Sequence, residues 1–339
     1  MSNIKIVASR AKRQMLTLAM QVVGPSGSGK TLSSLIFAYG MMKAKYPDMD
    51  EYDLWGKIGL VDTEHDRSLI YEGMEYGEVR IGEFIHVPLG KPYSYERYDA
   101  AVKALVDAGV EVVVVDSVTH AWSGSGGVLD YQQQKGGNFQ AWNTANNDQY
   151  NPLVSLLVGE KYRVHMISTA RAKQEYAMQK NEHTEKLEIA KLGLKPDQRD
   201  TLEYEMQLVF RLDMESHFEM SKDNSSLFRG KREIMTPEHG RLVYEWLEKG
   251  VDIYAERRAA EAQAESERIA LGQEINELAK ENDLLEWVAA MEKHPSVGAI
   301  VTASMTVLQK FRAGLQTKIE ERLAILTAQE AKAQEGAAN

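Results

Sequence analysis

The chain has 339 residues, a formal net charge of −10 at pH 7 and no cysteine. Its length suits one large α/β domain with an appendage, or two modest domains, and the missing thiol excludes disulfides, thiolate zinc sites and cysteine nucleophiles. The acidic balance argues against wholesale non-specific nucleic-acid binding but not against a local basic groove, because a binding field depends on where the charges sit. Basic residues do gather at Lys5, Arg10, Lys12 and Arg13, at Arg171 and Lys173, and at Arg229, Lys231 and Arg232. No apolar run approaches the ~20 residues of a membrane helix, and MSNIKIVASRAKRQ carries no apolar secretion core. The expectation is a cytoplasmic protein without membrane contact.

In chain order, LTLAMQVV (16–23) reads as a buried strand, GPSGSGKT as a loop, and Thr31 to about Lys45 as a helix. KIGLVD (57–62) and FIHVPL (84–89) read as further strands, followed by a helix around 94–108. EVVVVDS (111–117) is a β-branched run without polar alternation, as in a strand covered on both faces of a parallel sheet. SGSGG (123–127) lacks a lysine and a following helix and reads as a flexible loop. VHMIST (164–169) and MQLVFRLDM (206–214) repeat the strand pattern. This alternation implies an α/β fold with a doubly wound, mostly parallel sheet flanked by helices. Composition shifts near Gly250, which divides the chain into a core, 1–250, and a helical C-terminal appendage, 251–339. Pro295 interrupts the appendage, and AQEAKAQEGAAN ends it as a polar tail.

The run Gly24, Pro25, Ser26, Gly27, Ser28, Gly29, Lys30, Thr31 fits G-x-x-x-x-G-K-[ST], between a strand and a helix as that motif requires. Glycines let backbone N–H groups wrap phosphates without Cβ clashes, and the following helix turns its positive end to the same oxygens. Lys30 is placed to reach the β- and γ-phosphates and the Thr31 hydroxyl to ligate Mg²⁺, so the implied ligand is a nucleoside triphosphate such as ATP with its metal. VVVVDS ends in Asp116, the expected second metal holder opposite Thr31, at the carboxyl edge where ligands of open α/β sheets gather. In LVDTEHDRS (60–68), a strand over 58–62 next to the phosphate-loop strand would leave Glu64 just past its carboxyl end. Glu64 then either orients or deprotonates the water attacking the γ-phosphate, or merely terminates a strand. Asp62 reads as bonding to backbone or loop.

Taken together, GPSGSGKT, LVDTEHDRSLIY and VVVVDSVTHAW resemble RecA-type recombinases. With ISTARAKQEY, KLGLKPDQRDTLEYEMQLVFRLD and MSKDN, residues 15–235 resemble the single-domain RecA-like ATPases of bacteriophages associated with Sak-type single-strand annealing. The resemblance implies a RecA-like fold and a homo-oligomeric ring or helical filament that hydrolyses ATP between protomers and holds single-stranded DNA on central loops. It makes Glu64 catalytic and places Lys30, Thr31 and Asp116 on phosphate and metal. Thr169 falls where the recombinases carry a γ-phosphate-sensing glutamine. Arg171 and Lys173 follow, to read phosphate or touch DNA. Lys222 matches a lysine that reaches a neighbouring protomer's ATP in a Lys-x-Arg element whose arginine is here Asn224, so Arg229 or Lys231 is left to supply the second cation. Such in-trans cations are worth ~10³–10⁵ in turnover.

Residues 121–150 occupy the place of the family's first DNA loop. Trp122, Tyr131 and Phe139 offer base stacking, Lys135 offers a phosphate contact, and Trp142 reads as core. The segment 179–193 is the second candidate loop. Three readings follow: an ATPase acting on single-stranded DNA in recombination, annealing or replication; a nucleotide switch whose helical tail recruits a partner; and a motor acting on protein or packaged duplex DNA. The tail itself fits a contact for a single-strand DNA-binding protein, an oligomer contact or a solvated helix pair.

Overall fold

Short, largely apolar runs begin or fill the parallel strands of the sheet. In the computed structural model, which describes residues 10–180, 187–293 and 298–337, they are β1 (Ala19–Gly24), β2 (Ile58–Asp62), β5 (Ile85–Pro88), β6 (Val112–Asp116), β7 (His165–Lys180) and β9 (Leu208–Leu212). Between β2 and β5 a small ribbon forms from β3 (Glu75–Tyr76) and β4 (Val79–Arg80). β8 (Leu187–Pro196) pairs only with β7, while β10 (His217–Asp223) and β11 (Glu233–Ile234) finish the sheet. The order is β11-β10-β9-β1-β7-β6-β2-β5. β9 to β5 run parallel, and β10 and β11 are antiparallel at one edge.

Period-2 alternation sends Met20, Val22, Val112 and Val114 to one face and Ala19, Val23, Val113 and Val115 to the other. The first face is covered by α1 (Lys30–Lys45) and the helix Pro237–Leu247, the second by the helices Tyr95–Asp107 and Asn151–Leu157. Burial on both faces is what a mostly parallel sheet needs, and the doubly wound α/β expectation holds. A Cβ on Gly40 would overlap the Pro237 carbonyl and one on Gly240 the Phe37 carbonyl, so glycine on both helices sets the close seating of α1.

Three expectations change. β2 does not neighbour β1, because β7 and β6 lie between them. Val112–Val115 of β6 are fully buried and require a strand on each edge, and β2 and β7 take those places. SGSGG is packed: a Cβ on Gly126 would stand 2.5 Å from Pro92 Cβ and one on Gly127 2.6 Å from the Ala121 carbonyl oxygen, and the helix Val128–Gln134 does follow. Residues 118–157 form a chain of short helices instead of an open loop. Lys5, Pro295 and residues 181–186 of the second loop candidate lie outside the described residues.

The chain divides into two units, Met1–Val251 and Asp252–Asn339. The second holds the helices Ile253–Glu281, Leu285–Glu292 and Met305–Ala337. Ile275, Val288, Leu308, Phe311 and Leu315 form its own small core. Among the described residues no helix is long and apolar enough to cross a membrane.

Candidate active site

β1 delivers the chain to the carboxyl edge of the sheet at Gly24, and α1 begins six residues later at Lys30. The loop between them turns through left-handed backbone at Gly27 (φ 85°) and Gly29 (φ 79°), conformations that L side chains avoid. Gly24 is required for a second reason, since a Cβ there would stand 2.5 Å from Ser28 Oγ and 2.9 Å from the Leu212 carbonyl oxygen. No side chain caps α1, so its first N–H groups face the cleft with the partial positive charge an anion needs. Lys30 is buried and its ammonium donates to the Pro25 carbonyl at 2.8 Å. Burial pushes its pKa below the usual lysine range against the opposing pull of Asp116 and Glu64.

Asp116 ends β6 almost fully buried and accepts hydrogen bonds from the hydroxyls of Thr31 and Thr169. Burial raises its pKa, with the two hydroxyls working the other way. Thr31 and Asp116, expected on the metal, are therefore in contact, and a hydroxyl beside a carboxylate is the oxygen donor set that Mg²⁺ takes. Thr169 is corrected. Its hydroxyl is spent on Asp116 and its side chain is fully buried, because β7 sits against β6 and a threonine is too short to pass the carboxylate. It steadies Asp116 and does not line the cleft.

Glu64 reaches the same cleft from β2 by way of a tight turn. Asp62 accepts from the Glu64 N–H at 2.6 Å, the Ser68 N–H at 3.1 Å and the Ser68 hydroxyl. His65 and Asp66 adopt positive φ, 62° and 59°. Burial would raise the Asp62 pKa, but these donors and His86 outweigh it and hold the carboxyl below the usual range. Asp62 thus bonds to the loop, as expected, and fixes the direction of Glu64. The Glu64 carboxylate receives Arg171 Nε at 2.9 Å, a second Arg171 N–H, and the Ser117 hydroxyl at 3.2 Å.

Lys30, Thr31, Glu64, Asp116 and Arg171 line one cavity of about 290 Å³ with Ser26, Gly27 and Gly29. Arg67, Ile70 and Tyr71 complete its wall and were not singled out from the sequence. They lie on the 3₁₀ turn Arg67–Tyr71, where a spacing of three puts Arg67 and Ile70 on one face with Tyr71 following. Burial, then Asp116, raises the Tyr71 phenol above its ordinary pKa, and the Thr31 hydroxyl opposes them.

Residues 17–243 match the family model of an AAA domain. The chain belongs to this AAA domain family. A search of curated proteins found no match. The match runs from the entry to β1 into the helix Pro237–Leu247 and contains every residue of the cleft.

The AAA domain holds its other candidates elsewhere. Lys222 lies on β10 in register with Val209, which pairs with Gln21 midway along β1, so the strand carries it back from the edge bearing the phosphate loop. Its ammonium donates to the Glu203 and Tyr204 carbonyls. Arg229 is exposed in the turn after Phe228, and Lys231 lies over the Phe228 ring at 5.7 Å. Lys173 pairs with Asp197 at 2.6 Å. Trp122 stacks on Trp142 (6.2 Å, 24°) and meets Tyr150 edge-on, so both tryptophans pack in the small cluster with Val128 and Ala145. The Tyr131 hydroxyl donates to Asp148 at 2.7 Å, and Lys135 lies over the Tyr131 ring. Of the aromatics expected to stack bases, Phe139 stands in solvent, 86% exposed.

Proposed function

We propose that this AAA-domain protein binds ATP with Mg²⁺, hydrolyses it, and couples turnover to single-stranded DNA as a homo-oligomer in phage-type recombination, annealing or replication. The observation that carries the reading is that Glu64 enters the cavity shared by Lys30, Thr31 and Asp116. A scaffold that only binds nucleotide has no use for a carboxylate there.

In this reading the N–H groups of Gly27 to Thr31 and the Lys30 ammonium hold the β- and γ-phosphates, and Thr31 and Asp116 hold the metal. Mg²⁺ held by Thr31 and Asp116 would supply positive charge to offset the negative charge that grows on the leaving group. Glu64 orients a water in line with the γ-phosphorus and takes its proton. The new P–O bond forms as the bond to the β-phosphate oxygen breaks, and ADP leaves with the electron pair. In this reading Lys222, which does not face its own protomer's cleft, leaves the Glu203 and Tyr204 carbonyls to serve a neighbour's, with Arg229 as the second cation.

The second reading, a nucleotide switch that recruits a partner such as a single-strand DNA-binding protein through residues 251–339, gains from one observation. Trp122, Trp142 and Tyr131 are engaged within the fold, which reduces the stacking surface offered to DNA. ATPase assays with and without single-stranded DNA over a salt series separate the two. The first reading expects faster turnover with DNA and a stimulation that falls steeply with salt. Turnover indifferent to DNA, with partner binding lost on removal of 252–339, would leave the switch.

A further inference from the structure

The last register pair of β2 and β6 sets Asp62 opposite Asp116, so the two segments leave the sheet side by side at Thr63 and Ser117. One buried hydroxyl ties them together there. The Thr63 hydroxyl oxygen accepts the Ser117 N–H at 2.8 Å and stands 3.1 Å from the Asp116 carbonyl oxygen, which also accepts the Thr63 N–H at 2.7 Å. The two carboxylates of the cleft adjoin this joint in sequence, Glu64 after Thr63 and Asp116 before Ser117. Whatever holds the joint therefore sets the distance between them.

A third group closes the joint from outside the cleft. His120, on the helix Val118–Ser123 that follows β6, places Nδ1 at 2.7 Å from the Thr63 hydroxyl oxygen and does not line the cavity. Its ring stacks on the buried Tyr93 at 4.8 Å and 16°. Burial lowers its pKa below the ordinary histidine value, against the pull of Glu64, so at neutral pH the ring carries a single N–H. The inventory of Thr63 says where that proton sits. A hydroxyl has one proton to give and two lone pairs to fill. The Asp116 carbonyl takes the proton, the Ser117 N–H fills one lone pair, and the second is left for a donor. That donor is His120 Nδ1–H. A neutral imidazole protonated on Nε2, the form favoured in water, would meet an oxygen whose proton is already committed.

We propose that His120 is a positioning residue, whose Nδ1–H holds the Thr63 hydroxyl and through it fixes the spacing of Glu64 and Asp116. The role rests on the ATPase reading above, because the spacing matters when a base and a metal holder act on one phosphate. Neither the ring nor Thr63 touches the nucleotide in this account. Removing the Nδ1 donor leaves the phosphate loop intact, so nucleotide still binds while the two carboxylates lose their common frame.

The test compares full-length wild type with His120→Ala, His120→Asn and His120→Gln in ATP affinity, kcat, KM and thermal melts. A misplacement of about 1 Å costs up to ~10²-fold in rate, so His120→Ala should lose roughly ten- to a hundredfold in kcat with ATP affinity unchanged. The asparagine amide nitrogen stands where Nδ1 does and should recover most of the rate. The glutamine amide reaches the place of Nε2 and should not. That comparison decides the matter if the alanine variant does not fold, since a role in packing on Tyr93 alone would not tell the two amides apart. Wild-type kcat in His120→Ala, or equal losses in the asparagine and glutamine variants, overturns the proposal. NMR of the histidine ring nitrogens at neutral pH reads the tautomer without any turnover, the His120 signal being identified by its loss in His120→Asn. A proton on Nδ1 is expected, and one on Nε2 overturns the proposal. A wild type that never hydrolyses ATP removes the ATPase reading, and the tautomer then decides the joint by itself.

Discussion

The cleft at the carboxyl edge of the sheet and the helical segment 118–157 both drew attention through glycine-rich text, and the fold uses that text differently. At the cleft, Gly27 and Gly29 take up left-handed backbone that leaves N–H groups turned to one cavity, and the charged residues around it engage one another. In 118–157, Gly126 and Gly127 permit close approach to Pro92 and Ala121, and Trp122, Trp142 and Tyr150 pack together while Phe139 stays exposed. Glycine beside convergent charge makes a site, whereas glycine beside aromatics here makes a packed layer. The contrast locates chemistry on one side and stability on the other, and substitutions can break it.

The largest effect is expected at the cleft. Lys30→Ala removes the buried ammonium that the proposed function assigns to the phosphates and should lower ATP turnover by about 10²–10³-fold with little change in the unfolding midpoint, read by steady-state kinetics beside thermal melts. Equal loss of stability and activity would erase the contrast.

Next in size is Asp62→Ala, which strips the partners from the Ser68 and Glu64 N–H groups. The expected cost is roughly 1–3 kcal/mol, measured by denaturant titration, together with slower turnover as Glu64 loses its direction. Because the folded-state pKa of Asp62 is depressed, its contribution is complete above the ordinary carboxylate pKa and disappears as pH falls through the lower folded value. Wild type should therefore lose its advantage over the variant on acidification below about pH 4. An advantage that grew in acid would contradict the assignment.

The smallest effects separate two aromatics in 118–157. Trp122→Ala should destabilise the fold through the lost stack on Trp142, by ~0.5–1.5 kcal/mol beyond its lost burial. Phe139→Ala should leave the melt unchanged and weaken single-stranded DNA binding by ~1–3 kcal/mol, measured by fluorescence anisotropy. Reversed outcomes would show that the tryptophan layer opens to bind.

What the sequence made legible was local. The phosphate loop, α1 to within one residue, Asp116 at a strand end and Asp62 as a loop anchor all follow from neighbours a few positions apart. Lateral order did not follow: nothing in KIGLVD says that β7 and β6 will separate it from β1. The Arg171–Glu64 pair spans 107 residues and exists only because β7 ends beside the phosphate loop. The short helices of 118–157 were hidden because Gly and Asn give weak helix propensity, which packing of Trp122, Trp142 and Tyr150 overrides. Thr169 looked like a phosphate sensor by position, but the short side chain on a strand flanking β6 meets Asp116 first.

The most direct test of the central claim is the ATP hydrolysis rate of Glu64→Gln, with nucleotide affinity measured on the same preparation. An amide of the same size fills the same space but cannot accept the proton of the attacking water. The account predicts ATP binding close to wild type with hydrolysis lost. Hydrolysis at the wild-type rate in a variant that binds ATP normally would contradict it, and the chemistry would have to be reassigned to another residue of the cleft.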